Sequence, residues 1–305
     1  MNNVFIWRGL CRFLLLSLLL IFVTLTIFGC RSETDDASQS PSDWTFYDVP
    51  DVTAEEIAAI EELQKRFDHF SFGTLHSTEA FIANDDTGQM GGYVYLFCKW
   101  MSHLFGIEFV PEFLDWDDFY PTLQVDFTSE LTDTQQRRDE HGFLFSLPVA
   151  ERHAKYYKLE ESVPRLEILR TRAMRIGFFE GSTTAEAAIA SISETIMPTA
   201  IEPFYVQNHD EAYAALVDGT IDAFVTEMTS EVTFNAFPDV VSEDFMALID
   251  LVSLTTQNHE FEPIINVLDK ALRHGATQHL YELYDMGAEQ YRKYKLMQLL
   301  GDAEL

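Results

Sequence analysis

Between Phe70 and Glu130 the chain alternates between stretches that fit a strand and stretches that fit a helix. This alternation restricts the fold more than any other feature of the 305 residues. Phe70 to Leu75 alternates like a strand. After Gly91-Gly92 the apolar residues Tyr93, Leu96, Phe97, Trp100, Met101 and Leu104 recur at helical spacing until Gly106. That stripe reads as core, not as a cofactor box. Ile107 to Leu114 fits a second strand, Asp115 to Leu123 a short helix carrying Trp116, and Val125 to Glu130 a third strand. Strand, helix, strand, helix in this order predicts parallel α/β pairing. Ligands in such sheets sit at the carboxyl ends of strands, where Ser129 to Arg137 fall.

The pattern continues beyond that point. Ala154 to Glu160, Arg175 to Phe179, Ile201 to Val206 and Ile221 to Glu227 read as strands, and Ser162 to Arg172 as an arginine-rich connection. Helices are predicted over Thr184 to Ser193, Asp210 to Val217, Thr229 to Phe237 and Phe261 to His274, the last stopped by Gly275. Asp244 to Thr256 carries the chain back towards its first half. Ahead of all this, Asp51 to Lys65 reads as a capped lead-in helix with Ile57, Ile60 and Leu63 on one face. Asn84 to Gly88 reads as a turn.

The first 29 residues look like an address. Arg8 and Arg12 precede an uncharged apolar run from Phe13 to Phe28, which reads as a signal segment; the run is short for a spanning helix, and acidic residues follow it. Arg31 to Asp43 is too polar to bury a core and reads as a tether. If Cys11 leaves with the leader and Cys30 is modified, Cys98 has no partner for a disulfide and is expected in the core. Net charge is −30. A surface of that sign repels nucleic acid and anionic headgroups, so a nucleic-acid partner is disfavoured.

Within VDFTSELTDTQQRR (Val125 to Arg138), Asp133 or Thr134 is placed to cap a helix, which puts Arg137 in its first turn. A guanidinium there, beside Ser129 and Thr132, suits a carboxylate held bidentately. An exposed helix arginine fits the same spacing. Gly181-Ser182-Thr183 before a helix is a ready anion site, and equally a plain cap. The sequence holds no G-x-S-x-G, no H-E-x-x-H and no catalytic Cys-His arrangement. His274 and His279 are five apart and form no i, i+4 metal pair. No cofactor and no metal site is expected.

The run L-T-x-T-x-x-R-R followed by Phe145-Ser-Leu-Pro, then FFEGSTTAEA from Phe178, GTIDAFVTE from Gly219 and VSLTTQNHEFEPIINVLDKAL from Val252, resembles in order the motifs of the bacterial family 3 solute-binding proteins. With VTAEEIAAIEEL and ELYDMGAEQYRKYKL at the two ends, the chain is most similar to that family's periplasmic sensor domains, over roughly Val52 to Leu300. The resemblance implies a two-lobed type II periplasmic-binding fold. Lobe 1 would span 51–158 and 247–305, lobe 2 159–246, after a 1–29 signal segment and a 30–50 lipid-attachment region and tether. It implies no enzyme, a small carboxylate-bearing or amino-acid-like ligand, and an ABC permease or a membrane signalling protein as partner.

Carried over by position, Arg137 matches the carboxylate-binding arginine, and Ser182 and Thr183 the second-lobe turn. Thr132 and Ser129 match pocket hydroxyl or backbone positions, and Trp116 a ligand-stacking aromatic. Glu227 stands where an aspartate takes an α-amino group. Ile27-Phe28-Gly29-Cys30 resembles a lipobox, implying lipidation of Cys30 and an extracytoplasmic, membrane-tethered protein; the alternative is an uncleaved membrane anchor. Departures from the pattern are Thr78 for an aromatic, Ala80 for a proline, Tyr95 for an acid, and Glu130 for a small hydroxyl residue, where its carboxylate would repel a ligand carboxylate or pair with Arg137. A sensing subunit without its output module and, further off, a dehydratase-like enzyme are the alternative functions.

Overall fold

The computed structural model describes residues 40–84, 87–195 and 201–302. The leader, Cys30, most of the tether and part of the Asn84 to Gly88 turn lie outside them. Among the described residues no helix is long and apolar enough to cross a membrane.

Helix α1 (Ala54–Arg66) starts at Thr53, whose hydroxyl accepts from the Glu56 amide while the Glu56 carboxylate takes the Thr53 amide, a reciprocal cap. Strand β1 (His69–Thr74) follows, then a small hairpin of β2 (Phe81–Asn84) and β3 (Gln89–Gly91). Helix α2 (Tyr93–Phe105) begins after Gly92 at φ 99° and ends on Gly106 in the left-handed region. Glycine is required at 92 because a Cβ there would meet the Glu79 carbonyl. β4 (Glu108–Phe113), β5 (Phe127–Thr132) and α3 (Gln135–His141) complete the first half.

The long strand β6 (Leu144–Leu159) then leaves lobe 1 for lobe 2, which holds α4 (Arg165–Leu169), β7 (Met174–Phe179), α5 (Thr184–Thr195), β8 (Ile201–Val206), α6 (His209–Val217), β9 (Ala223–Glu227) and α7 (Glu231–Phe234). β10 (Val240–Thr256) returns antiparallel to β6, and α8 (Glu262–Ala271) and α9 (Thr277–Asp302) close the chain on lobe 1.

The strand order is β4-β1-β5-β10-β6-β9-β7-β8. β1 pairs in parallel with β4 and β5 in lobe 1, and β7 with β8 and β9 in lobe 2. The crossing strands β6 and β10 belong to both halves and join them. The ladder between them shifts register from Asp244 to Ile249, beside Arg152 and Asp250. That break marks the junction.

Each lobe has its own core. Phe70, Phe72, Phe97, Met101, Ile264 and Leu268 fill lobe 1; Ile176, Phe178, Ala188, Val225 and Phe245 fill lobe 2. A third cluster crosses the boundary, with Trp116, Phe119 and Phe145 of lobe 1 packed with Phe179, Phe224 and Phe234 of lobe 2. Cys98 is a free, buried core residue.

Four expectations are corrected. The tether ends earlier than residue 50: Trp44, Phe46 and Val49 lie in the lobe 1 core, each apolar side chain contributing on the order of 2 kcal/mol by burial. Asp115 to Leu123 shortens to a single turn, Trp116–Asp118, because Pro121 disfavours helix at the residue before it. The strand at Ala154 to Glu160 extends back to Leu144, with Pro148 beside a register shift that spares its missing N–H. The helix over Thr229 to Phe237 breaks into two short turns ending at Phe234.

Candidate interlobe binding site

β5 ends at lobe 2, and Thr134 caps α3 by accepting from the Arg137 amide at 3.2 Å. The turn sends its two arginines in opposite directions. Arg138 pairs with Asp133 at the surface. Arg137 is 3% exposed and lies under Tyr120. Its Nη1 donates to the Thr132 carbonyl at 2.7 Å and its Nη2 crosses to the Gly181 carbonyl of lobe 2 at 2.9 Å. Among the described residues Arg137 has no carboxylate within salt-bridge distance. Burial lowers its pKa to about 10, against the attraction of Tyr120, Asp250 and Glu227.

Beside it stands a cluster that the sequence did not reveal. Arg152, at the midpoint of β6, is buried with its guanidinium surrounded by three glutamates. Nε and Nη2 donate to Glu79 at 3.2 and 2.8 Å, and Nη1 donates to Glu130 at 2.7 Å and to Glu227 at 2.9 Å. Tyr284 of α9 donates to Glu79 at 2.9 Å, and Thr74 to Glu130 at 2.9 Å. Burial opposes the charge on Arg152, but the glutamates outweigh it and hold the pKa well above the usual guanidinium value. Burial pushes Glu227 up to about 7, with Glu130, Asp250 and Glu79 adding to the rise and Arg152 opposing it. Asp250, opposite Arg152 in the ladder, is also raised by burial.

The expected residues therefore divide. Arg137, Glu227, Glu130 and the Thr132 carbonyl meet in one interlobe region. Glu130 does not pair with Arg137, because Arg152 takes its carboxylate. Ser182 accepts from the Thr184 amide and donates to its hydroxyl, so it serves the α5 turn. Thr183 accepts the Ala187 amide through its carbonyl. Ser129 shares its face of β5 with Phe127 and Leu131, away from Glu130. Trp116 does not present a free stacking face: it stacks on Phe179 at 5.5 Å and donates from Nε1 to the Glu180 carbonyl, closing lobe on lobe.

Two cavities lie nearby. One of 380 Å³ is lined from both lobes by Leu75, His76, Phe113, Asp118, Asn208 and His209. Burial lowers the pKa of His209 to about 4. The other, of 640 Å³, is mostly apolar and lies by the crossing strands and α9, between residues such as Val149, Leu251 and Leu280. Neither is lined by Arg137 or Glu227. Among the described residues no group of three or more His, Cys, Asp or Glu is placed to hold a metal.

Solved structures with a similar fold exist. The chain matches the ancestral amino acid-binding protein AncCDT-1, a precursor of cyclohexadienyl dehydratase, at 21% identity and TM-score 0.51 over 74% of this chain and 98% of that one. The two-lobed fold is that of the type II periplasmic binding proteins. The amino acid ABC transporter substrate-binding protein AbpA of Streptococcus pneumoniae, bound to L-arginine, matches at 14% identity and TM-score 0.54, over 76% and 98%. The periplasmic domain of B. pertussis BvgS matches at 14% and 0.58 over 81% of this chain, which spans about half (48%) of that one. No family model and no curated protein matches the sequence.

Proposed function

We propose that this chain is an extracytoplasmic solute-binding module that captures a small carboxylate-bearing or amino-acid-like ligand between its lobes. The observation that supports this best is Arg137, a buried cation at the lobe junction that donates to two carbonyls and has no carboxylate partner among the described residues. A ligand carboxylate would complete it through charge-assisted hydrogen bonds of about 1.5–3 kcal/mol each. Glu227 and Asp250, both raised in pKa by burial, form the acidic side that an ammonium would approach. The leader and Cys30 support a lipid tether outside the cytoplasm, and AbpA supports delivery to a permease.

A specific contact favours sensing as the second reading. Lys295 of α9 pairs with Glu231 of lobe 2 at 2.8 Å, and Asn235 donates to Tyr291 at 3.4 Å. Movement of lobe 2 would thus be felt along the last helix. The likeness to a BvgS sensor domain agrees with this. A dehydratase-like enzyme has less support, since AncCDT-1 is itself an amino acid-binding protein.

The test is a thermal-shift panel of amino acids, short peptides and organic acids on the wild type and Arg137→Ala. A ligand at a hundred times its Kd stabilises by about 2.7 kcal/mol. Arg137→Ala is expected to abolish that gain and leave a folded protein. Full affinity in the variant overturns the carboxylate assignment.

A further inference from the structure

The cleft already contains a guanidinium, supplied by the chain itself. We propose that Arg152 is a built-in latch, joining the two lobes so that the closed form is held by this chain's own side chains in the absence of ligand. The inference goes beyond the solute-binding reading and does not depend on it.

The geometry separates a fixed socket from a removable plug. Glu79 and Glu130, both of lobe 1, grip three nitrogens of Arg152, and their side chains are 4% and 3% exposed. Tyr284 and Thr74 hold these two carboxylates in turn. The Arg152 side chain is therefore held by lobe 1, while its strand continues into lobe 2 and pairs there with β9. Glu227 is the third partner, at the end of β9 in lobe 2 with its backbone paired to Ala154 of β6, and its carboxylate reaches the same Nη1 that Glu130 uses. It is the most water-accessible of the three, at 18%. Two carboxylates already exceed the single charge of Arg152, so the third is bound against repulsion from its neighbours. A latch of this kind can open by solvating one carboxylate while the socket remains intact.

Neighbouring contacts close with it. The Thr78 amide donates to the Thr229 carbonyl at 3.0 Å, two residues beyond Glu227. Thr233 donates from its hydroxyl to the His76 carbonyl at 3.1 Å. These bonds exist only while the lobes touch, so the Thr78 N–H reports closure.

The experiment is amide hydrogen exchange on the full chain, refolded from urea to remove small molecules, with the α2 amide of Phe97 as internal reference. In the wild type the Thr78 amide is expected to be protected without ligand. Glu227→Ala is expected to speed its exchange at least tenfold while Phe97 is unchanged. Should Glu227→Ala loosen the whole fold, Glu227→Gln keeps the volume and one acceptor oxygen, and the ratio of Thr78 to Phe97 exchange decides. A Thr78 amide as fast as free peptide in the wild type, or a ratio that neither variant changes, overturns the latch. Because no ligand is present, failure here leaves the Arg137 test untouched.

Discussion

Glu227 shows how a single side chain is set by what surrounds it. Its pKa in the fold, about 7, is above that of an ordinary glutamate. An acid with a raised pKa binds its proton more tightly folded than unfolded, so its contribution to stability is full below the unfolded pKa and is lost as pH rises through 7. Over pH 5 to 8 this amounts to at most about 3 kcal/mol. Urea midpoints across that range should therefore fall more steeply with pH in the wild type than in Glu227→Gln; parallel curves would remove the burial account of the site. The motif positions singled out Arg137, Glu130 and Glu227 but not Arg152 and Glu79. They lie 73 residues apart, and no local pattern pairs them. A signal existed, however. Ala150, Arg152, Ala154 and Tyr156 share one buried face of β6, and an arginine on an apolar face implies carboxylates waiting for it.

Elements place these groups, and the short ones have the least margin. Helix α3 has seven residues, fewer than an isolated helix needs, so its cap and packing decide whether it forms. The Thr134 hydroxyl caps it on the amide of Arg137 itself, which couples helix start to guanidinium position. Thr134→Ala should cost about 1 kcal/mol of stability and should weaken ligand binding beyond what that loss explains. Denaturation midpoints and titration calorimetry on the same samples separate the two effects. A stability loss with unchanged affinity would mean that Arg137 is placed by its carbonyl partners alone. The longer elements were read well from the sequence because their periods are strong: the α2 stripe and the β7 turn into α5 stand where the pattern put them, and the capped lead-in helix starts three residues later than read. Errors came where a proline or a distant partner overrode the period. Pro121 shortened one helix, Pro148 hid the start of β6, and the lobe 1 core drew Trp44 and Phe46 out of a segment that reads as polar tether.

The two lobes share crossing strands and an aromatic cluster, so they should not behave as independent domains. β6 and β10 lie side by side in the middle of the eight-stranded sheet and are what links β4-β1-β5 to β9-β7-β8. Trp116 on Phe179 at 5.5 Å, with Phe224 at 5.0 Å from Phe179, continues this coupling through the side chains. Urea unfolding followed by tryptophan emission and by far-UV circular dichroism should give coincident single transitions, because the emission includes Trp44 and Trp100 of the lobe 1 core as well as Trp116 at the boundary. Phe179→Ala removes the boundary ring and should cost about 3–5 kcal/mol. If the cluster is what couples the lobes, the variant should also separate the two probes, with part of the far-UV signal lost at lower urea than the emission from the lobe 1 core. A destabilised variant whose probes still coincide would assign the cooperativity to the crossing strands, and the aromatic boundary would then act in closure alone.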